Sequence, residues 1–160
     1  MSKRISRFGV GPSFTLLSLA YAALLVALWL RYPARFRIDF IPYWVLAMAG
    51  ALLVVVGLFL YLVGLVHMTR AYNADALCTD GAFGVCRHPI YGAWIAFLAP
   101  GAALLLNSSI GLTVPVVMYA LARVLVRKEE RYLEVQFGDA YRAYRRRVPA
   151  FAPLGWLRRT

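Results

Sequence analysis

Three long stretches of this chain contain no charged residue, at 13–30, 41–66 and 88–122. The first two contain 18 and 26 residues. At about 1.5 Å rise per residue, a helix of either length crosses a hydrocarbon core of about 30 Å. Hydrophobic residues make up 62% of the 160 positions and charged residues 16%, which is far more apolar than a soluble domain requires. The bilayer is therefore the expected solvent for most of the chain.

The third stretch is too long for one crossing, since its 35 residues would form a helix of about 52 Å. Turn-forming residues interrupt it at 107–111, where the sequence reads Asn-Ser-Ser-Ile-Gly. The pattern predicts a hairpin whose two arms enter and leave on the same side. Pro100 and Pro115 are expected to kink the arms. Two full crossings and a shallower re-entrant pair both fit.

These patterns predict an all-α polytopic membrane protein of about four transmembrane helices, forming one domain over 1–160. The helices are expected at about 13–30, 41–66, 90–106 and 110–127, with a polar motif loop at 67–89 and a tail at 128–160. Glycines recur every seven residues in the second helix, at Gly50, Gly57 and Gly64, and indicate a face where another helix packs closely.

The tail is also patterned. Its large apolar and aromatic residues recur every three or four positions, which is typical of one face of a helix. These residues are Leu133, Phe137, Tyr141, Tyr144 and Val148. We expect a cytosolic amphipathic helix lying along the membrane surface.

The positive charges set the expected orientation. Of the 18 Lys and Arg residues, three lie in the first loop, at Arg31, Arg35 and Arg37, and the rest lie on or near the other face. The positive-inside rule then places both termini in the cytoplasm, with the protein in the cell inner membrane. The basic start at 3–7 resembles a signal peptide, but the following run is too long and lacks a small-residue cleavage site, so a retained helix is expected.

The net charge of +11 favours anionic membrane lipids over nucleic acid as partners, because the basic residues flank apolar spans and form no groove-reading motif. The cysteines, Cys78 and Cys86, are not expected to form a disulfide in a reducing cytoplasm. Two thiols without a nearby set of His or Cys do not form a zinc site, so no metal is expected.

Polar residues cluster at 79–92 and at 127–133, about forty residues apart. The hairpin between them returns the chain to its starting face, so Arg87 and His88 are expected beside Glu129 and Glu130. Such a site suits a ligand with charges of both signs, since carboxylates bind ammonium or hydroxyl groups and an arginine binds a carboxylate. S-adenosylmethionine carries all these groups, and the Tyr91 ring could cover its adenine or lie near the sulfonium.

The same residues are also compatible with a different ligand and with purely structural roles. NADPH is a competing ligand, although its phosphates favour more basic groups than two acids provide. The Arg-His-Pro sequence at 87–89 also fits a positive-inside anchor with proline in the first helical turn. The glutamate pair also fits a solvated, salt-bridged helix face.

The order of these motifs resembles the isoprenylcysteine carboxyl methyltransferase family and its prokaryotic relatives, which are also related to phospholipid methyltransferases. A glycine turn leads into Arg-His-Pro-x-Tyr, a hydrophobic hairpin follows, and a Glu-Glu pair then precedes a Phe-Gly-x-x-Tyr-x-x-Tyr stretch and Val-Pro. The matching residues are Gly81, Phe83, Arg87 to Tyr91, Glu129, Glu130, Leu133, Phe137, Gly138, Tyr141, Tyr144, Val148, Pro149 and Pro153. The resemblance covers roughly residues 77 to 153.

The resemblance implies methyl transfer from S-adenosylmethionine to a lipophilic or lipidated acceptor at the cytoplasmic membrane face. It implies that the cofactor is bound by Gly81, His88, Pro89, Tyr91, Glu129 and Glu130. It further implies that Arg87 and Arg147 bind and orient the acceptor carboxylate. The tail is expected to close over the cofactor.

Other functions remain compatible with the sequence. A membrane reductase of the sterol-reductase type shares an Arg-His-Pro-x-Tyr turn but uses NADPH. Transfer to phospholipid, amine or thiol acceptors is a further alternative. A non-enzymatic membrane protein that retains the fold is the third class.

Overall fold

The computed structural model describes residues 11–151, which form an α-helical bundle without a β-strand in that range. It has six helices, α1 to α6, and a 3₁₀ turn at Ile110–Thr113 that leads into the last of them. The helices are Gly11–Arg31 (α1), Pro33–Phe36 (α2), Tyr43–Asn73 (α3), Ala82–Val85 (α4), Pro89–Leu105 (α5) and Val114–Arg147 (α6). Lys3, Arg4, Arg7 and Pro153 lie outside the described residues.

Three helical segments in the described range are long and apolar enough to cross a membrane: Gly11–Arg31, Tyr43–Asn73 and Ile110–Arg147. The fourth apolar helix, α5, is shorter. Its 17 residues span only about 25 Å. The all-α class and the membrane-spanning length of three helices therefore agree with the sequence.

The four long helices are arranged in an arc. Helix α1 packs against α6, α6 packs against α5, and α5 packs along α3. Helices α1 and α3 are therefore the two ends of the arc, although they follow each other in sequence. Both line the same internal cavity with α5 and α6.

The glycines of α3 form the contact with α5, as their spacing predicts. A Cβ atom on Gly57 would lie 2.7 Å from Cβ of Phe97, and one on Gly50 would lie 2.8 Å from the carbonyl oxygen of Gly101. Gly64 similarly meets Ile90. The two helices approach closely because these positions carry no side chain.

Pro100 is accommodated by a π-helical turn at Trp94–Leu98, inside α5. A proline in a helix lacks its N–H and crowds the carbonyl four residues earlier, and a widened turn relieves both problems. Pro115 lies in the first turn of α6, where the missing N–H has no intrahelical partner to lose. The predicted kink at Pro115 is therefore absent.

The hairpin predicted at 107–111 is present. Helix α5 ends at Leu105, and Asn107 adopts a left-handed conformation with φ 49°. The Asn107 side chain accepts a hydrogen bond from the backbone N–H of Ile38, and both the N–H and the hydroxyl of Ser109 donate to the carbonyl oxygen of Phe36. The loop after α1 and the turn after α5 thus lie at the same end of the bundle.

Two predicted boundaries differ from the structure. Helix α3 continues past residue 66 to Asn73, and α6 continues past 127 to Arg147. The break in α6 is instead at Gly138, with φ 53° and ψ −126°, which glycine adopts without steric cost. Arg142 and Arg145 then contact Glu134, which requires the chain to fold back, since eight helical residues extend about 12 Å.

We predict that Gly101→Ala destabilises the protein by about 1–3 kcal/mol, because its Cβ would lie 2.9 Å from the backbone oxygen of Gly50. Gly92→Ala in the same helix is the matched control, since nothing lies within 4 Å of its Cβ. Unfolding in mixed micelles measures both. Equal stability of the two variants would contradict the close packing of α3 on α5.

Candidate active site

A buried cluster of charges joins the start of α5 to α6, at the end of the bundle opposite the 107–109 turn. Arg87 donates from Nε and Nη2 to Oε1 of Glu130, at 3.0 and 2.6 Å. Nε2 of His88 donates to the same oxygen at 3.3 Å. The Arg87 and Glu130 side chains are only 10% and 9% exposed. The hairpin therefore brings Arg87 and His88 to Glu130, as the sequence predicts.

Arg87 also holds the chain that follows α6. Its Nη1 donates to the carbonyl oxygens of Arg145 and Val148. The backbone N–H groups of Arg87 and His88 donate to the carbonyls of Pro149 and Ala150, at 2.8 and 3.1 Å. We call this set of contacts between 87–88, Glu130 and 145–150 the clasp.

The negative charge of Glu130 is balanced by arginines within the clasp. Burying a carboxylate alone costs several kcal/mol, and a guanidinium that shares two hydrogen bonds with it offsets that cost. Arg145 adds a second cation, with Nε 3.7 Å from Oε2 of Glu130. Arg87 and Glu130 are therefore buried and bonded to each other, with little exposure to water.

A cavity of about 1070 Å³ lies inside the arc. At the end near the clasp its wall is polar, with Arg87, His88, Tyr91, Glu129 and Tyr141. The rest of the wall is mostly apolar and comes from all four long helices. Such a cavity is large enough for a nucleoside-sized ligand together with part of an aliphatic chain.

Glu129 and Glu130 point in different directions, because neighbouring residues on a helix are about 100° apart. Oε2 of Glu129 accepts a hydrogen bond of 3.1 Å from the hydroxyl of Tyr91 on the cavity wall. Phe14 packs edge-on against the Tyr91 ring, with centroids 4.8 Å apart. Glu130 does not line the cavity and faces the clasp.

The remaining predicted site residues are divided between the cavity and its surroundings. Pro89 is buried in the first turn of α5 and lines the cavity. Gly81 has φ 56° and lies against the His67 ring, outside the cavity wall. Arg147 is exposed at the end of α6 and does not line the cavity.

The apolar stripe of the tail packs against the protein. Tyr141 and Tyr144 are buried, and the Tyr144 hydroxyl donates to the carbonyl oxygen of Phe83 at 2.7 Å. Leu133 and Phe137 line the cavity. The bend at Gly138 thus turns the end of α6 inward, over the polar end of the cavity.

Two residues of the cavity wall with buried, unpaired hydroxyls were not among the site residues expected from the sequence. Tyr141 is 1% exposed and Ser18 is 6% exposed, and the hydroxyl of each has no hydrogen-bond partner within residues 11–151. Tyr141 belongs to the helical stripe, which indicated burial but not an unpaired hydroxyl. Ser18 is one small residue in an apolar run, and the sequence gives no signal for its role.

Cys78 also lines the cavity, and it is a free thiol. Burial raises the pKa of this thiol, and the nearby Asp80 carboxylate raises it further. The neutral thiol is therefore favoured over the thiolate, which is the nucleophilic form. Cys78 is accordingly a poor candidate for covalent catalysis.

Curated relatives of the chain are protein-S-isoprenylcysteine O-methyltransferases. The Mus musculus protein is 29% identical over 90 residues, covering 55% of this chain and 32% of the relative. The Schizosaccharomyces pombe protein is 35% identical over 79 residues, covering 49% and 33%. Protein-S-isoprenylcysteine O-methyltransferase B of Arabidopsis thaliana is 25% identical over 155 residues, covering 89% and 78%.

These relatives support the family resemblance carried by the motifs. The matches cover only about a third of the length of the mouse and fission yeast proteins. No family model and no solved structure matches the chain.

We predict that Arg87→Ala destabilises the protein by about 3–5 kcal/mol, because it leaves the Glu130 carboxylate buried without its main partner. Arg142→Ala is the control, since that arginine also pairs with a glutamate of α6 but on an exposed surface. It should change stability little. Micellar unfolding compares the two, and a stable Arg87→Ala protein would contradict the structural role of the clasp.

Proposed function

We propose that this protein is a membrane methyltransferase that uses S-adenosylmethionine and modifies a lipophilic acceptor at the cytoplasmic face. The observation that carries the proposal is the cavity, which joins a polar end at Tyr91 and Glu129 to a long apolar part. A polar cofactor and an amphiphilic acceptor require such a combination in one space. The names of the relatives indicate the same reaction class, which is methyl transfer.

The polar end suits the cofactor. The Glu129 carboxylate is available to accept hydrogen bonds from hydroxyl or ammonium groups, and Tyr91 orients it through their 3.1 Å hydrogen bond. The unpaired hydroxyl of Tyr141 offers a further donor on the same wall. When bound, S-adenosylmethionine supplies a methyl group on a sulfonium, which passes to a nucleophilic acceptor atom as the sulfur becomes a neutral thioether.

The protein's contribution to such a transfer is positioning and exclusion of water, since transfer to an anionic nucleophile needs little acid or base help. His88 and Pro89 belong to the part of the wall that would hold the cofactor. Arg87 and Glu130 act through the clasp, which fixes the chain over the polar end. The family resemblance assigns the acceptor's negative charge to Arg147, which lies outside the cavity wall at the exposed end of α6.

The apolar part suits an acceptor that arrives from the bilayer. Leu16 and Leu19 of α1 line the cavity and are largely exposed, so this part of the wall is apolar and accessible. In our proposal α1, α3, α5 and α6 are the four transmembrane crossings of the inner membrane. The clasp and both termini then lie on its cytosolic side. A prenylated carboxylate, as in the relatives' names, is the first acceptor to test, and phospholipid headgroups, amines and thiols are the others.

The direct test incubates purified protein with a labelled methyl donor and lipid extracts, followed by mass spectrometry of labelled lipids. Calorimetry with S-adenosylmethionine and with NADPH separates the proposal from the reductase alternative. Binding of NADPH without binding of S-adenosylmethionine would reject the proposal.

We predict that Glu129→Gln lowers the affinity for S-adenosylmethionine roughly 10- to 100-fold, because it removes a charged acceptor of hydrogen bonds. Tyr91→Phe should produce a smaller loss, since it removes only the group that orients Glu129. Glu134→Gln is the control on the same helix, as its carboxylate pairs with Arg142 outside the cavity.

Calorimetry of the three variants measures these affinities, with thermal unfolding to verify that each is folded. Wild-type affinity in Glu129→Gln would contradict the assignment of the polar end to the cofactor.

A further inference from the structure

Within residues 11–151, two buried side-chain polar atoms lack a hydrogen-bond partner: the hydroxyls of Ser18 and Tyr141. Both residues line the cavity. An unpaired buried hydroxyl is unfavourable and uncommon in folded proteins. Tyr141 adjoins the charged groups of the polar end, whereas Ser18 lies among apolar residues. The proposed cofactor offers a partner for the Tyr141 hydroxyl, but it leaves the Ser18 hydroxyl unpaired.

Ser18 lies in the middle of the side of α1 that faces the cavity. The cavity-lining residues of this helix recur at helical spacing, and they include Phe14, Ser18, Ala22, Leu25 and Trp29. A serine in a membrane helix commonly donates to the carbonyl four residues earlier, but the Ser18 hydroxyl has no such bond to Phe14. Since no residue of the described range 11–151 supplies a partner, a molecule in the cavity is the candidate that we consider.

The depth of Ser18 in the cavity follows from its neighbours. Phe14 contacts Tyr91, which bonds to Glu129, so Phe14 marks the polar end. Ser18 follows by four residues, which is about 6 Å along the helix axis. Ala22, on the next turn of α1, and Met118 of α6 are among the apolar residues of the wall. Ser18 is therefore a buried, unpaired hydroxyl on a wall that is otherwise mostly apolar.

We propose that Ser18 binds a carbonyl-type oxygen of the acceptor, about one helical turn inward from the polar end. The inference rests on the proposed function, and it narrows the acceptor to an amphiphile whose chain is joined to its head through an ester or another carbonyl-containing group. A plain hydrocarbon chain at this depth would leave the Ser18 hydroxyl unpaired. The donor is the hydroxyl and the acceptor is the ligand's oxygen.

The test compares two probes that differ in one carbonyl, 1-oleoylglycerol and 1-O-oleylglycerol. Native mass spectrometry of the detergent-purified full chain measures the affinity for each, without a methyl donor. We expect the wild type to bind the ester about three- to tenfold more tightly than the ether, as one hydrogen bond provides. Ser18→Ala should reduce this ratio to about one.

Two further variants control the comparison. Ser13→Ala removes a hydroxyl from an exposed position of α1 outside the cavity, and it should keep the wild-type ratio. Ser18→Thr keeps a hydroxyl and should retain the preference for the ester. Equal binding of the two probes by the wild type would overturn the inference, as would an unchanged ratio in Ser18→Ala.

Binding of S-adenosylmethionine is measured on the same preparations. Ester preference without cofactor binding would reject the proposed function and leave the Ser18 site standing. Cofactor binding without ester preference would reject the Ser18 site alone.

Discussion

The pairing of Arg87 with Glu130 is the interaction on which the candidate site depends. Arg87 belongs to the loop before α5, and its guanidinium contacts Glu130 in the middle of α6 and the carbonyl oxygens of Arg145 and Val148 near the end of α6. It therefore connects three parts of the chain. Buried charge pairs contribute little net stability, but loss of one partner is costly. Their value here is geometric, because the pair fixes where the polar end of the cavity forms.

Adjacent residues next to this pair have different roles. Glu130 holds the chain together, while Glu129 presents its carboxylate to the cavity. The bend at Gly138 allows the end of α6 to return and bring Tyr141 to the same wall. Helix α6 thus carries residues that hold the structure together and residues that face the cavity. The rigidity of the first group fixes the positions of the second.

Much of this arrangement was predictable from the sequence, because it follows from simple geometry. A 35-residue apolar stretch must fold back, and the return brings Arg87 and His88 to Glu130. The glycine spacing in α3 likewise indicated its contact with α5. The predicted ends of α3 and α6 were too early. Arg, Lys and Glu favour helices, so a helix can continue from the lipid into water without a break. The helical rotation of about 100° between neighbours already separates the directions of the two glutamates. Which of them faces the cavity, and which hydroxyls stay unpaired, depends on tertiary packing, which no local pattern encodes.

The arrangement of the helices in an arc affects which parts of the protein can change independently during evolution. Its two ends, α1 and α3, are joined by the 32–42 loop, which is held to the 107–109 turn by Ile38 and Phe36. Helices α1 and α3 both line the cavity, and the loop that joins them lies at the end of the bundle away from Arg87 and Glu129. Changes in that loop can alter the spacing of α1 and α3, and with it the width of the cavity, without contact with the clasp. The width of the cavity and the composition of its polar end can in this way evolve separately.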